Sequence, residues 1–335
     1  MKRENPNLFG ALLLGLLLNT LLSSQTAYWA RIGLLAYPLS AGLLISAALL
    51  IAWARRGVER RRWLRFALGC LLGASSALEV LRFWRLLERV APNSQNLLEV
   101  CLLLLLPVLY LRRVSAIAQT ANVVLAALLV AGGLLILSIA GDLQVANLQP
   151  VPAHDRQWLQ ALRGQCLLYP EFLLPALWPD QEKRGPHTVI RLVGYSLAFS
   201  VGMHLILELY FGAAMPEQEI PVHAAAQGGA LSIFNRLEWL QLLLWAMLVS
   251  IKLALYLYAG IRLLGGRNSK TENTAVGLDR FPVYLLGMAF LCMLWRGIDL
   301  NRLFALRNLA AWLFAGLVLL MGGVQWLFAK RSSSV

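Results

Sequence analysis

The chain has 335 residues, of which 59% are hydrophobic and 14% are charged, and its net charge is +13. So few charged residues could not cover the surface of a water-soluble protein of this length, which excludes an ordinary soluble domain. The positive charge does not indicate a nucleic-acid partner, because Lys and Arg lie in short clusters between apolar blocks, where they orient membrane segments. We therefore predict a single integral membrane domain over 1–335, surrounded by membrane lipid.

Long apolar blocks follow one another along the whole chain, as transmembrane helices require. About 18–20 apolar residues cross the hydrocarbon core of a bilayer, where the backbone satisfies its polar groups within a helix. The pattern predicts an all-α polytopic transmembrane helical bundle of about ten spans. The predicted spans are 8–26, 32–54, 64–87, 97–111, 115–140, 157–178, 188–211, 231–262, 280–298 and 305–328.

Basic residues predict the orientation of the bundle. Alternate loops carry clusters of Arg and Lys, as do both ends of the sequence, and this basic side is expected to be cytoplasmic. Both termini are therefore predicted to be cytoplasmic. The outer loop 212–230 contains Glu217 and Glu219 and neither Lys nor Arg. Arg302 and Arg307 are assigned to the last outer loop, against the general trend.

A polar outer loop with several prolines, at 141–157, separates two groups of five predicted spans. The first half covers about 1–141 and the second about 157–330. Two five-helix halves are the arrangement of transporters built from inverted repeats. The two halves show no sequence similarity that would establish such a repeat independently.

The first and third spans contain polar residues at membrane depth. The first carries Asn19, Thr20, Ser23 and Ser24. These side chains either line a site or mark the outer end of the helix. In the third span, Glu79 and Arg82 are spaced to pair across one helical turn. This spacing favours a structural ion pair over a catalytic one.

The sixth span contains two prolines, Pro170 and Pro175, with Glu171 beside the first. Each proline removes a backbone donor and disfavours a continuous helix. A carboxylate next to such a break is typical of a discontinuous binding helix, whose ends present unpaired groups to a ligand. The alternative is a simple kink with a structural Glu171. The two prolines favour the broken helix.

The eighth span has the largest set of charged residues. Glu238, Trp245 and Lys252 recur at steps of seven and therefore share one helical face. One interpretation is a polar stripe that faces a cavity or a partner helix. In the other, Arg236 and Glu238 lie at the outer interface while Lys252 extends toward the inner one. The sequence leaves both open.

Sequence motifs of hydrolytic, phosphate-binding and metal-dependent enzymes are missing. There is no GxSxG, no HExxH and no phosphate-cradling glycine loop. His204 and Glu208 share a helical face in the seventh span, but no third metal ligand is evident. We therefore expect a protein that is not an enzyme and has no catalytic residues, no metal site and no cofactor.

Several segments carry a family resemblance. Residues 142–151 read DLQVANLQPV, similar to a DLxNLxPV loop, and residues 169–172 read YPEF, similar to a broken sixth helix with a Glu. Residues 234–238 read FNRLE and precede Trp245 and Lys252, similar to an eighth helix with F-x-R-x-E, W and K in this order. Together these segments resemble the B subunit of endospore nutrient-germination receptors. This spore-germination permease family belongs to the amino-acid/polyamine/organocation permease superfamily.

The resemblance implies ten helices in two inverted five-helix halves, with helices one and six broken near mid-membrane. It implies a small-molecule germinant such as an amino acid, bound between helices one, three, six and eight. It also implies A-type and C-type receptor subunits as partners in the inner membrane of the endospore. The implied ligand-binding residues are Asn19, Thr20, Ser23, Ser24, Leu168, Tyr169, Glu171, Gln241 and Trp245. The implied structural or gating charges are Glu79, Arg82, Arg236, Glu238 and Lys252.

The first span departs from the family pattern, because Ser23 and Ser24 stand near a position where the family has a Gly-rich break. Serine side chains occupy space that a ligand carboxylate would use. Three functions therefore stay open. They are a nutrient-sensing subunit of a germination receptor, a secondary amino-acid transporter coupled to H⁺ or Na⁺, and a non-binding membrane subunit that stabilises a receptor complex.

Overall fold

The computed structural model describes residues 8–22, 30–60, 62–90, 96–111, 113–148, 158–159, 162, 165–166, 169–177, 185–218, 220–229, 237–265 and 281–332. Within these ranges the chain forms helices and no β-strand. The all-α class predicted from the apolar blocks is therefore confirmed for this part of the chain.

Eleven α-helices occupy the described ranges. In chain order they are α1 (Phe9–Leu21), α2 (Ala30–Arg60), α3 (Arg62–Val90), α4 (Leu97–Tyr110), α5 (Val114–Ile139), α6 (Pro170–Leu177), α7 (Gly185–Phe211), α8 (Pro221–Gly228), α9 (Leu237–Gly265), α10 (Phe281–Leu294) and α11 (Leu300–Ser332). Short 3₁₀ helices at Ala140–Asp142 and Val145–Asn147 follow α5, and a third at Gly212–Glu217 follows α7.

Among the described residues, five helical stretches are long and apolar enough to cross a membrane. They are Arg62–Val90, Val114–Asp142, His187–Met215, Trp239–Leu264 and Leu300–Leu320. Along α4, Leu98, Leu102 and Leu106 are each more than half exposed and form one apolar stripe. A surface of this kind suits lipid rather than water. The structure is thus a helical bundle of membrane type, and its division into ten spans stays a prediction.

Helix α1 lies at the centre of the bundle. Every residue from 10 to 19 is buried, and α1 packs against α5, α6, α7 and α9. With 13 residues it is about 20 Å long. A helix that is apolar all round is surrounded by protein. Gly10 lies against Asn122 of α5, and Gly15 lies against Glu171 of α6.

Helices α3 and α9 connect the two predicted halves. Helix α9 packs against α1, α3, α4 and α5, while α3 also packs against α10 and α11. The Tyr284 hydroxyl of α10 donates a hydrogen bond to the Gly69 carbonyl of α3 and lies against Gly260 of α9. The small residues therefore let three helices approach closely at this point.

The outer loop predicted at 212–230 contains regular structure that the sequence pattern did not reveal. Gly212, with φ of +53°, opens the 3₁₀ helix in a left-handed conformation that favours glycine. Pro221 then begins α8, where its missing N–H is not needed. Helix α8 packs its apolar side chains against α9.

The described chain before α6 is not one continuous helix. The Cys166 N–H donates to the Leu162 carbonyl at 2.9 Å, as in a helical turn, but Tyr169 is not helical. Helix α6 then begins at Pro170, which has no N–H with which to extend a preceding helix.

Candidate functional site

Five charged side chains from four helices contact one another in the core of the bundle, each of them at most 8% exposed. They are Glu79 and Arg82 of α3, Glu171 of α6, Lys252 of α9 and Arg307 of α11. Asn19 of α1 completes the group by accepting hydrogen bonds from two of the cations. We call these six residues the ion cluster.

Lys252 lies at the centre of the ion cluster. Its Nζ atom is 2.8 Å from Oε1 of Glu79 and 2.9 Å from Oε1 of Glu171. It also donates to Oδ1 of Asn19 at 2.8 Å and lies 3.5 Å from the carbonyl oxygen of Gly15. Because Lys252 is fully buried, the interpretation in which it extends to the membrane interface is wrong. It faces partner helices instead.

Glu79 is the anion that the three cations share. Its Oε2 atom is 2.8 Å from Nη2 of Arg82, in the pair across one helical turn that their spacing predicts. Its Oε1 atom accepts from Lys252 and from Nε of Arg307, the latter at 2.9 Å. Buried charges persist only when they are paired and hydrogen-bonded, and Glu79 provides that pairing for three helices.

Arg307 does not lie in an outer loop, where its position next to Arg302 had placed it. Helix α11 begins at Leu300, so Arg307 lies inside the bundle, whereas Arg302 is exposed on the same helix. The Nη2 group of Arg307 donates to Oδ1 of Asn19, and its guanidinium carbon lies 4.6 Å from the centre of the Tyr169 ring. Arg307 is thus a residue of the site that was missed from sequence.

Two helix ends meet at the ion cluster. Helix α1 ends at Leu21, just beyond Asn19, and α6 begins at Pro170, so that Glu171 lies in its first turn. A carboxylate is electrostatically favoured at a helix N-terminus, and cations are favoured near a C-terminus. A Cβ atom at Gly15 would lie 2.9 Å from Oε1 of Glu171. The glycine therefore lets this carboxylate approach the backbone of α1.

Gln241 and Trp245 lie elsewhere on α9. Trp245 is buried with its ring centre 6.2 Å from that of His223 on α8, and Oε1 of Gln241 is 3.4 Å from Nδ1 of His223. Lys252 lies about 10 Å further along the helix axis than Trp245. The described contacts therefore place these two predicted ligand residues in a second polar group beside α8.

The remaining predicted site residues divide into those described and those not described. Thr20 is half-buried near the end of α1. Ser23, Ser24, Leu168 and Arg236 lie outside the described residues, as does the side chain of Glu238. The structure brings together the following predicted residues: Asn19, Tyr169, Glu171, Glu79, Arg82 and Lys252.

His204 and Glu208 are both buried on α7, where sequence spacing placed them on one face. Nδ1 of His204 lies 2.7 Å from the carbonyl oxygen of Ser200. Across the described part of the chain, no group of three or more His, Cys, Asp or Glu side chains is arranged to hold a metal ion.

The chain matches no protein-family model and no curated protein. The resemblance to germination-receptor B subunits therefore depends on the sequence motifs quoted above. The contacts of the ion cluster are seen in the structure, and two of its members, Glu171 and Lys252, also belong to those motifs.

Proposed function

We propose that the protein is a nutrient-sensing subunit of a spore-germination receptor with a transporter-like fold, and that the ion cluster is its solute site. The observation that carries this proposal is the meeting of five charged side chains inside an apolar helical bundle. Ionisable groups at membrane depth are costly and characteristically mark substrate or ion pathways. The motif resemblance supplies the biological role.

The helices that form the ion cluster support the proposal. Helices α1, α3, α6 and α9 correspond to the first, third, sixth and eighth predicted spans, between which the resemblance implies a ligand. The short α1 and the start of α6 at Pro170 fit broken helices one and six. The full proposal is ten spans in two inverted halves, with both termini cytoplasmic. It places the chain in the inner spore membrane beside A-type and C-type subunits.

The proposed mechanism is a change in ion pairing. Lys252 joins Glu79 on α3 to Glu171 on α6. A solute that competes for these groups favours one arrangement of α6 relative to α3 over the other. The partner subunit detects the favoured arrangement, because a ligand shifts a two-state equilibrium only through its different affinity for the two states.

Germination assays test the proposal. Spores that lack the protein should lose their response to one nutrient, and the wild-type chain should restore it. Glu171→Gln should shift the nutrient concentration needed for germination, because Lys252 loses a charged partner. The matched control Glu217→Gln changes an exposed carboxylate and should leave the threshold unchanged. Normal germination without the protein contradicts sensing, and an unchanged threshold in Glu171→Gln spores favours the non-binding stabilising subunit.

A secondary transporter coupled to H⁺ or Na⁺ is the second candidate, favoured by one observation. Lys252 bridges carboxylates on two different helices, as expected of a group that exchanges partners during a transport cycle. Uptake of radiolabelled amino acids into proteoliposomes separates the two functions. Net accumulation inside the vesicles supports the transporter, whereas a receptor binds the solute without accumulation.

A further inference from the structure

The charges of the ion cluster do not balance among the described residues. Arg82, Lys252 and Arg307 are three cations, while Glu79 and Glu171 are two anions. One positive charge is therefore in excess in a site closed to water. An uncompensated charge in an apolar interior is costly, so a further anion would stabilise the cluster.

Arg82 is the cation of the ion cluster that has unpaired hydrogen-bond donors. Its Nη2 atom is 2.8 Å from Glu79, but Nε and Nη1 have no hydrogen-bond partner among the described residues, although the side chain is only 1% exposed. The guanidinium carbon also lies 5.8 Å from the centre of the Phe304 ring, which borders it. Charge-assisted donors of this kind form their strongest hydrogen bonds with carboxylate or phosphate oxygens.

Both carboxylates of the ion cluster are already paired with cations, although Oε2 of Glu171 has no hydrogen-bond partner among the described residues. Glu79 already contacts all three cations, and Glu171 contacts Lys252. A zwitterionic amino acid would bring an ammonium group into a site that is already positive, where like charges repel strongly because the interior screens them weakly. A solute with one net negative charge does not meet this repulsion.

We propose that Arg82 anchors the carboxylate of a small solute with one net negative charge, and that this monocarboxylate is the ligand class of the ion cluster. The inference rests on the proposed function, because it identifies this solute with the sensed nutrient. The Nε and Nη1 groups of Arg82 donate to the solute carboxylate, whose charge balances the cluster.

Three matched probes test the ligand class. Propionate, L-alanine and propionamide share one carbon skeleton, but propionate is an anion, alanine is a zwitterion and propionamide is neutral. Thermal unfolding of the purified full-length chain in nanodiscs is measured with each probe, at constant ionic strength set by a bulky sulfonate salt. Propionate should raise the unfolding temperature to a saturating value, and propionamide should not. Alanine should need a concentration about tenfold higher or more for the same shift, equivalent to about 1.4 kcal/mol.

Variants of Arg82 test the anchor. Arg82→Gln should abolish the propionate shift, and Arg82→Lys should weaken apparent propionate affinity on the order of tenfold, because it keeps the charge and loses the planar donors. If Arg82→Gln does not fold, the propionate affinity of Arg82→Lys decides whether Arg82 is the anchor. The matched control is Arg85→Gln, one turn along α3, where Arg85 is partly exposed and pairs with Glu88 at 2.7 Å. This control should keep the full shift.

Several results would overturn the inference. They are the absence of a saturating propionate shift in the wild-type chain, an equal shift with propionamide, a shift retained by Arg82→Gln, and an unchanged propionate affinity in Arg82→Lys. An alanine shift at lower concentration than propionate also overturns it, yet leaves nutrient sensing intact. If propionate binds as expected but spores without the protein germinate normally, the ion cluster is a monocarboxylate site and the germination proposal fails.

Discussion

Glu79 contacts three cations from three helices, and the ion cluster depends on this one carboxylate. Each cation would be expensive to bury without it, because the interior neither hydrates a charge nor screens it. Removing one partner of a buried ion pair costs about 3–5 kcal/mol when the other charge is left uncompensated. The loss of stability on substituting each residue therefore depends on how many buried charges the substitution leaves unpaired.

Glu79→Gln should be the most destabilising single change in the ion cluster. It leaves three buried cations with only Glu171 as an anion, and we expect a loss of about 3–5 kcal/mol in the free energy of unfolding. Denaturant unfolding in detergent micelles measures this loss. Glu88→Gln, on the same helix and 40% exposed, is the matched control and should change stability by less than about 1 kcal/mol. Equal losses in the two variants would contradict the pairing described here.

Arg307→Met should have a smaller effect, because Glu79 keeps Lys252 and Arg82 as partners. The variant loses hydrogen bonds to Glu79 and Asn19, and we expect a loss of about 1–3 kcal/mol. Arg302→Met changes an exposed arginine of the same helix and should stay within about 0.5 kcal/mol of the wild type. If the two variants unfold at the same denaturant concentration, Arg307 does not stabilise the ion cluster.

Local spacing predicts some of these residues and not others. Glu79 and Arg82 are one turn apart, and Lys252 interrupts an apolar run, so both features are visible in the sequence. Arg307 stands close to Arg302 and resembles a loop charge, although Leu303, Ala310 and Phe314 mark the buried face on which it lies. The pairing of Lys252 with Glu79 and Glu171 joins distant helices, and no local pattern encodes such a contact.

At the scale of elements, glycines determine how closely α1 approaches its neighbours. Gly15 allows Glu171 of α6 to reach the backbone of α1 next to Lys252. The position of α6 relative to α1 therefore depends on the absence of a side chain at this residue. An enlarged side chain would have to displace a carboxylate that is already held by an ion pair.

Gly15→Ala should destabilise the protein by about 1–3 kcal/mol, because the added methyl group overpacks a closed site. Gly132→Ala is the matched control, since a Cβ atom at this helical glycine of α5 meets nothing within 4 Å. The control should leave stability unchanged or raise it by about 0.5 kcal/mol. Unfolding of both variants in detergent is the measurement, and equal stability of the two would contradict the close contact at Gly15.

Helix positions are predictable where apolar blocks are long and bounded by polar residues. Helices α3, α4, α5 and α7 begin and end within three residues of the predicted spans. Pro170 also marks the place where α6 begins, whereas Pro175 lies within α6. Helix α8 was missed because its eight residues are shorter than any apolar block used to predict a span. Helix α8 is buried by tertiary contacts with α9, and the local sequence of the loop does not predict these contacts.

At the scale of the whole molecule, the outer surface and the interior have opposite character. Large apolar side chains of α4 and α10 are exposed, whereas the charged ion cluster is buried. This inverted distribution suits a lipid environment. It also explains why composition alone predicts the class of protein, although composition does not locate the site.

Cysteine labelling in membrane vesicles tests the lipid-facing surface. In a chain whose four native cysteines are replaced, Leu102→Cys and Leu286→Cys should not react with a membrane-impermeant maleimide, because lipid covers them. Glu217→Cys should react once both sides of the membrane are accessible. Both lipid-facing cysteines should become reactive after denaturation in detergent. Rapid labelling of Leu102→Cys in intact membranes would contradict the assignment of this stripe to lipid.

The germination response of spores that carry Lys252→Gln tests the central claim most directly, because Lys252 alone contacts both carboxylates of the ion cluster. We predict that this variant is present in the spore membrane and no longer responds to the nutrient. Lys252→Arg should retain part of the response, and the exposed Arg302→Gln should retain all of it. A full response at the normal nutrient threshold in Lys252→Gln spores would contradict the assignment of the ion cluster as the sensing site.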